Sequence, residues 1–462
     1  MCHLHAARPS TARTLGRRAV LAGAGGLLAA GALTPVATAA PRVLSRTWAV
    51  VGATVFDGVR QLSDATVVIR GDRVLRVGRR SQVTLPPGTD VIDGRGRFVL
   101  PGLIDAHQHL GGATVAERAA NLSSLLGFGY TTVFDPFTSL ADLAVLKAHS
   151  AAPDAPSPRY LGTGPMLGSP GGWGDFNMPE TTVVVTGPDH AFEVVDRLAD
   201  AGVDAIKAAN DDWFWGRSPL LKTMPVDTQA AIVAAARRRG LKVFFHAPSR
   251  RLAAQALEAG AAGLLHGVLD EPVDQDFLRL LDRTGASYVS TMMIFEVFGD
   301  LVGTVGRQQA YDRRGLVPAA TYDALRGPDA IAAVESTVDP AVMRSHVAVL
   351  RANAAPVSGT RANVAFGTDG GSFGEALGIA GHVELVLNGE AGLSPLQVLR
   401  GATLGAARML GRHDLGCLAP GKLADLVILP VDPFADLANL HFIDQVVRGG
   451  RLFNTTDLRA AR

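Results

Sequence analysis

Residues 98–110 read FVLPGLIDAHQHL. The run opens as a buried parallel strand does, almost unbroken in apolar residues, and then ends in His107 and His109 with one residue between them. Side chains two apart on a strand point to the same face. Both imidazoles therefore face one point just beyond a buried strand. The chain holds only twelve histidines, so a pair placed at the end of its most apolar segment calls for a chemical explanation.

Downstream, short apolar runs alternate with longer stretches of helical character rich in Ala, Leu and Arg. The runs are PGLIDAHQHL, TTVFDPF, RYLGTGPML, DAIKAAN, KVFFHAP, GLLHG, SYVSTMM and NVAFGTDGG. Eight strands alternating with helices predict an α/β protein built on a (β/α)8 TIM barrel. The flanks have a different texture. From Trp48 to Val99, short strand-like pieces are broken by the turn signals FDG, RGDR and DGRG, which suggests antiparallel β structure. A similar texture returns in GCLAPGKLADLVILP and IDQVVRGGRLF. The expected organisation is a barrel over 101–412 and a small β-sandwich made from both ends of the mature chain, 46–100 and 413–455. An open doubly wound sheet is the alternative, but no Gly-rich phosphate loop follows the first strand. The long interval between Phe295 and Ala362 predicts a helical insertion capping the site.

The 462 residues are 47% hydrophobic and 19% charged, with a net charge of +1. That suits a globular protein with a large core and points to neither a nucleic-acid partner nor an anionic membrane surface. Residues 1–39 read as a twin-arginine signal peptide of a secreted protein. Arg13, Arg17 and Arg18 form its basic region, AVLAGAGGLLAAGAL its apolar stretch and ATA (37–39) its cleavage pattern. The apolar stretch is too short and too rich in Gly and Ala for a comfortable span; an uncleaved anchor is the other reading. Cys2 precedes the apolar run, which argues against a lipid anchor. Past the leader only Cys417 remains, so no internal disulfide is expected. A chain that folds before export does not need one.

Five of the eight runs end in a residue able to bind metal. His107 and His109 end the first, Lys207 lies in the fourth, His246 and His266 end the fifth and sixth, and Asp369 ends the eighth. Active sites of such barrels are built where the strands end. Lysine is scarce, five among 44 basic residues, so a lysine inside an apolar strand is informative. An amine can react with carbon dioxide to give a carbamate, an anionic ligand able to bridge two cations. Taken singly, each residue also has an ordinary reading: a satisfied strand-end histidine, or a lysine that snorkels or forms a salt bridge. His149, His190, His346, His382, His413 and His441 lack the strand-end setting and read as structural, with His382 the one nearest the expected mouth.

In this order, VLPGLIDAHQHL, GYTTVFD, GVDAIKAAN, FFHAP, LLHG, AFGTDGG and LAPGKLADLVIL resemble the amidohydrolase superfamily of metal-dependent hydrolases. The resemblance runs from Trp48 to Phe453, and GVDAIK is most similar to the prolidase-like, acyl-amino-acid-hydrolysing branch, which includes ochratoxin-hydrolysing enzymes. It implies a barrel with a β-sandwich and two divalent metal ions. His107, His109 and Asp369 would hold one ion and His246 and His266 the other, bridged by carboxylated Lys207 and a hydroxide. Ligands of this kind favour zinc. Asp369 would act as general base and then acid. Trp213, Phe214 and Trp215 in NDDWFWGRSP, with Trp173 in GSPGGWGDF, suggest an aromatic substrate wall; lid residues packing on one another is the other reading.

The expected activity is cleavage of an amide, of the N-acyl amino acid or dipeptide type, in a small-molecule substrate. Lactone hydrolysis, deamination and a non-catalytic binding protein on the same fold stay open, although Lys207 argues against mononuclear deaminases. No nucleic-acid partner and no stable membrane insertion after leader cleavage are expected, and a homo-oligomer is left open.

Overall fold

A computed structural model of the chain describes residues 46–152, 155–216, 218–371 and 373–460. The expected leader, 1–39, lies outside the described residues. Each of the eight expected runs contains a parallel strand. Leu103–Asp105, Tyr130–Asp135 and Arg159–Gly162 form a three-stranded sheet. Ile206–Ala209, Val243–His246, Gly263–Leu265, Ser287–Val289 and Asn363–Ala365 pair in chain order in a seven-stranded sheet, completed by Met166–Gly168 and Thr182–Val184. Helices cover the connections, as parallel strands require.

The third run contributes to both sheets, Arg159–Gly162 to one and Met166–Gly168 to the other. Between them Gly164 has φ of +65° and Pro165 lacks an N–H, so one strand cannot run through. The sheets meet at two edges. Ala106 N donates to Phe366 O at 3.0 Å, and Asp204 N to Gly162 O at 2.8 Å. Ile104 and Phe134 of the smaller sheet pack in one cluster with Phe244, Leu265, Val289 and Ala365 of the larger.

Strands from early and late in the described residues meet in an eight-stranded sheet. Phe98–Pro101 lies antiparallel to Leu426–Leu429 and parallel to Thr47–Phe56, which joins the late strands to the early ones. The two faces of this sheet serve different cores, as a period of two demands. Leu426, Ile428, Val99 and Val447 face Trp48, Val50, Val67 and Ile69 in a core of the sheet's own. Val427, Leu429, Leu100 and Val446 face the main core.

The interval between the last two strands is helical, as expected: Met292–Gly299, Leu301–Tyr311, Ala319–Leu325, Pro328–Thr337 and Pro340–Ser358. Gln308 of this insertion clasps the loop after the last strand. Its Nε2 donates to Gly374 O at 2.7 Å, and its Oε1 accepts from Ala376 N at 2.8 Å. Among the described residues no helix is long and apolar enough to cross a membrane.

Candidate metal centre

The strand ends bring the expected ligands together. His107 Nε2 lies 3.1 Å and His109 Nε2 2.9 Å from the same oxygen, Asp369 Oδ1. Donor atoms of His107, His109 and Asp369 all lie within 4.8 Å of one another. The approach of the last strand end to the first depends on glycine. A Cβ on Gly367 would stand 2.4 Å from His107 N, and one on Gly371 2.1 Å from His109 O. Either would force the two segments apart, which accounts for the glycines around Asp369.

His246 and His266 form a second group beside the first. Their ring centroids are 4.5 Å apart, and His266 lies 4.8 Å from His107. Lys207 is 4% exposed, and its Nζ sits 3.5 Å from His107 Nε2. His107 Nδ1, His246 Nδ1 and His266 Nε2 are buried with no hydrogen-bond partner among the described residues. A buried polar atom left unpaired costs free energy. Imidazole nitrogens in this condition, next to a carboxylate and a buried amine, fit a cation-binding site.

Electrostatics agree with that fit. Burial pushes His107 down to about 3, against the pull of Asp369. Burial, together with neighbouring His246, holds His266 well below the usual imidazole range. Burial thus favours the neutral form of both rings, the form in which an imidazole binds metal. Burial opposes charge on His109 too, but hydrogen bonds to Asp135 and Asp369 overcome it and raise the group to about 9. Those two carboxylates call for positive charge at this point. Burial likewise works against ionised Asp369, yet His107 and His109 hold it well below the ordinary carboxylate range. Lys207 is lowered to about 8 by burial, with Asp369 and Asp135 opposing, so its neutral amine is within reach near neutral pH.

A second layer of side chains fixes the first. Asp135 Oδ1 accepts from His109 Nδ1 at 3.1 Å, and its Oδ2 from Tyr160 OH at 2.8 Å. Asp211 Oδ2 accepts from His246 Nε2 at 3.0 Å, and Thr291 Oγ1 lies 2.8 Å from His266 Nδ1. Asp105 accepts from His107 N at 3.1 Å and from Thr368 Oγ1 at 3.1 Å, tying the first strand end to the last. None of these residues was among the candidates named from the sequence. Asp135 ends the run TTVFD just as the ligands end theirs, so the signal was present. Asp211 and Thr291 sit in connections, and their pairing with His246 and His266 is set only by the fold.

Of the five non-glycine residues with positive φ among the described residues, Trp213, His266, Thr291 and Asp369 lie here. Backbone strain of this kind gathers at functional sites. The aromatic residues expected near the mouth are tightly packed. Trp173 stacks on His246 at 4.2 Å, Trp213 meets Trp215 at 5.8 Å, and Trp215 stacks on Phe298 at 5.7 Å. Trp173 and Trp213 are 8% exposed and Trp215 5%, so all three are buried in this packing. Phe214 turns to His346 at 5.1 Å. His382 is structural. Its Nε2 lies 2.8 Å from Phe128 O, and its ring packs near Tyr130 and His441. His149 pairs with Ser123, His190 with Thr186 and His346 with Leu269 O.

Comparison with known proteins agrees. The model of the amidohydrolase family matches residues 98–453. The imidazolonepropionase of Streptomyces coelicolor is 25% identical over 413 residues, covering 81% of this chain and 88% of its own. Among solved structures, a putative prolidase from Bifidobacterium longum superposes with a TM-score of 0.70 at 24% identity, covering 89% of this chain and 95% of its own. An Xaa-Pro dipeptidase with bound methionine in its active site also gives a TM-score of 0.70, at 23% identity, over 88% of this chain and all of its own. With that match across most of its length, and with the His-His-Asp cluster the chemistry requires, the chain belongs to the amidohydrolase family of metal-dependent hydrolases, enzymes acting on carbon–nitrogen bonds.

Proposed function

We propose that the protein is an exported, binuclear metal-dependent amidohydrolase that cleaves an amide of the N-acyl amino acid or dipeptide type. In this reading the two parallel sheets act as one (β/α)8 barrel with the site at its C-terminal mouth, and the eight-stranded sheet folds over its own core as a β-sandwich. The observation that carries the reading is the placement of Lys207. It is a buried lysine 3.5 Å from a ligand histidine, beside both histidine groups, and its amine is lowered to about 8 by burial. A carboxylated Lys207 would give those groups a shared anionic ligand. His107, His109 and Asp369 would hold one ion, and His246 and His266 the other. His, carboxylate and carbamate donors suit zinc.

Bound ions of this kind supply a Lewis acid and lower the pKa of water from about 15.7 to roughly 7. The chain's own residues do the rest. Asp369 takes a proton from the attacking water and returns it to the departing nitrogen. His109 is held in orientation by Asp135. Trp173, Trp213 and Trp215 offer an apolar wall that excludes water and receives a bulky substituent. The neighbour described as an Xaa-Pro dipeptidase supports an amino-acid amide as substrate. The leader of 1–39 would carry the folded protein out of the cell by the twin-arginine route; Arg17→Lys with Arg18→Lys should retain it in the cytoplasm.

The test is a hydrolysis screen of the purified mature protein on N-acyl amino acids, dipeptides and lactones, with metal analysis alongside. Turnover of amides that chelation abolishes is expected. Turnover of lactones with no amide cleaved would overturn the bond assignment.

A further inference from the structure

Asp211 is 1% exposed and belongs to the connection after the strand that carries Lys207. Its two oxygens hold three donors. Oδ1 accepts from Trp213 N at 2.8 Å, while Oδ2 accepts from Trp215 Nε1 at 3.2 Å and from His246 Nε2 at 3.0 Å. One carboxylate thus grips a candidate metal ligand, the indole of the aromatic wall, and the backbone of a residue held at φ of +55°. An indole N–H can only donate. Oδ2 is therefore already an acceptor, and where it accepts from the His246 ring as well, the His246 proton stands on Nε2. The lone pair then stands on His246 Nδ1, the atom that is buried without a partner. Aromatic contacts close the circuit. Trp215 meets Phe295 at 6.3 Å, and Phe295 meets His266 at 5.7 Å.

We propose that Asp211 is a positioning residue that couples the His246–His266 ion to the aromatic substrate wall. The inference rests on the reading above that His246 is a ligand. Filling the ion site fixes the His246 ring, and through Oδ2 fixes Trp215 and the turn at Trp213. Conversely, a substrate group that orders the wall tightens the ion, since coupling between two sites is reciprocal. Asn at 211 breaks the arrangement in a defined way. If its amide NH2 takes the Oδ2 position, it meets two N–H groups. His246 must then offer Nε2 as an acceptor and carry its proton on Nδ1, the atom meant for the ion. Trp215 Nε1 loses its acceptor.

The experiment is a zinc titration of chelator-stripped protein, followed by bound zinc per chain and by tryptophan emission. Wild type, Asp211→Asn, Trp215→Phe and His246→Ala are compared. The Trp215 contribution is the difference between wild type and Trp215→Phe. In wild type, binding of the second zinc should carry a Trp215 emission change. Asp211→Asn should weaken the second zinc by about 10–100-fold, spare the first, and abolish the Trp215 change even at saturation. Trp215→Phe keeps Asp211 and tests the link from the other end; it should weaken the second zinc several-fold. Two zinc ions bound with wild-type affinity in both Asp211→Asn and Trp215→Phe would overturn the coupling. His246→Ala that still binds two zinc ions would instead overturn the reading of His246 as a ligand.

Discussion

Lys207 shows what a single residue can reveal. It stands in an apolar strand of a chain with only five lysines, at 4% exposure and 3.5 Å from His107 Nε2. An uncompensated ammonium there is costly, so the position asks for a reaction or a partner. Lys207→Ala should lower kcat by about 100-fold or more, on the scale of losing a group that orders a metal site. Short carboxylic acids should partly restore turnover by occupying the vacated space. Full activity of Lys207→Ala without additives would make the residue structural. Asp369→Asn should cost about 10²–10⁴ in kcat through lost proton transfer, with metal content showing how much of the loss is binding. The clustered histidines and Asp369 were legible in the sequence because strand-end position and period two act locally. Asp135 carried the same signal and was passed over, because an acid closing TTVFD looks like any strand end until His109 is seen against it. Asp211 and Thr291 gave no such signal, since the histidines they hold, His246 and His266, come from other strands.

At the scale of elements, the alternation of apolar runs and helical stretches was legible strand by strand, and the helical insertion by its length. The split of RYLGTGPML between two sheets was not foreseen, although Gly164 and Pro165 encode it. The tie between Ile379–Glu390 and the segment just after the strand Ser287–Val289 is also invisible in sequence. Glu384 of that helix accepts from Ser290 Oγ at 2.6 Å and from Met293 N at 2.7 Å. Burial raises its carboxyl to about 7, although those bonds oppose the shift. The unfolded chain releases this proton near the ordinary value of 4.5 while the folded chain keeps it to about 7. Stability should therefore fall as pH rises between those values and level off above them. Two and a half units correspond to an effect on the order of 3 kcal/mol. Glu384→Gln should flatten the dependence in urea unfolding at pH 5 and pH 8, leaving a residual slope of the same sign from Asp105, which burial also raises to about 7. An unchanged slope would remove Glu384 from this account.

For the whole molecule, turn signals at both chain ends foretold β structure there, but not which strands would meet. That choice is made by the pairing of Phe98–Pro101 with Leu426–Leu429 and by a side-chain link to the three-stranded sheet. Arg159, on the strand Arg159–Gly162, pairs with buried Asp425, which also accepts from Gly449 N at 2.7 Å. Arg159→Ala leaves that carboxylate buried without its main counter-charge. A loss of about 3–5 kcal/mol in denaturant unfolding is expected, and a change below about 1 kcal/mol, the range of exposed pairs, would show that the two parts are held by apolar packing alone. The central claim is that both histidine groups bind ions and share Lys207. The measurement that tests it most directly is the number of divalent ions per chain in purified wild type and in Lys207→Ala. Close to two are expected in the wild type, with loss of at least one in the variant. One ion per wild-type chain, with Lys207 found unmodified by mass analysis under native conditions, would contradict it.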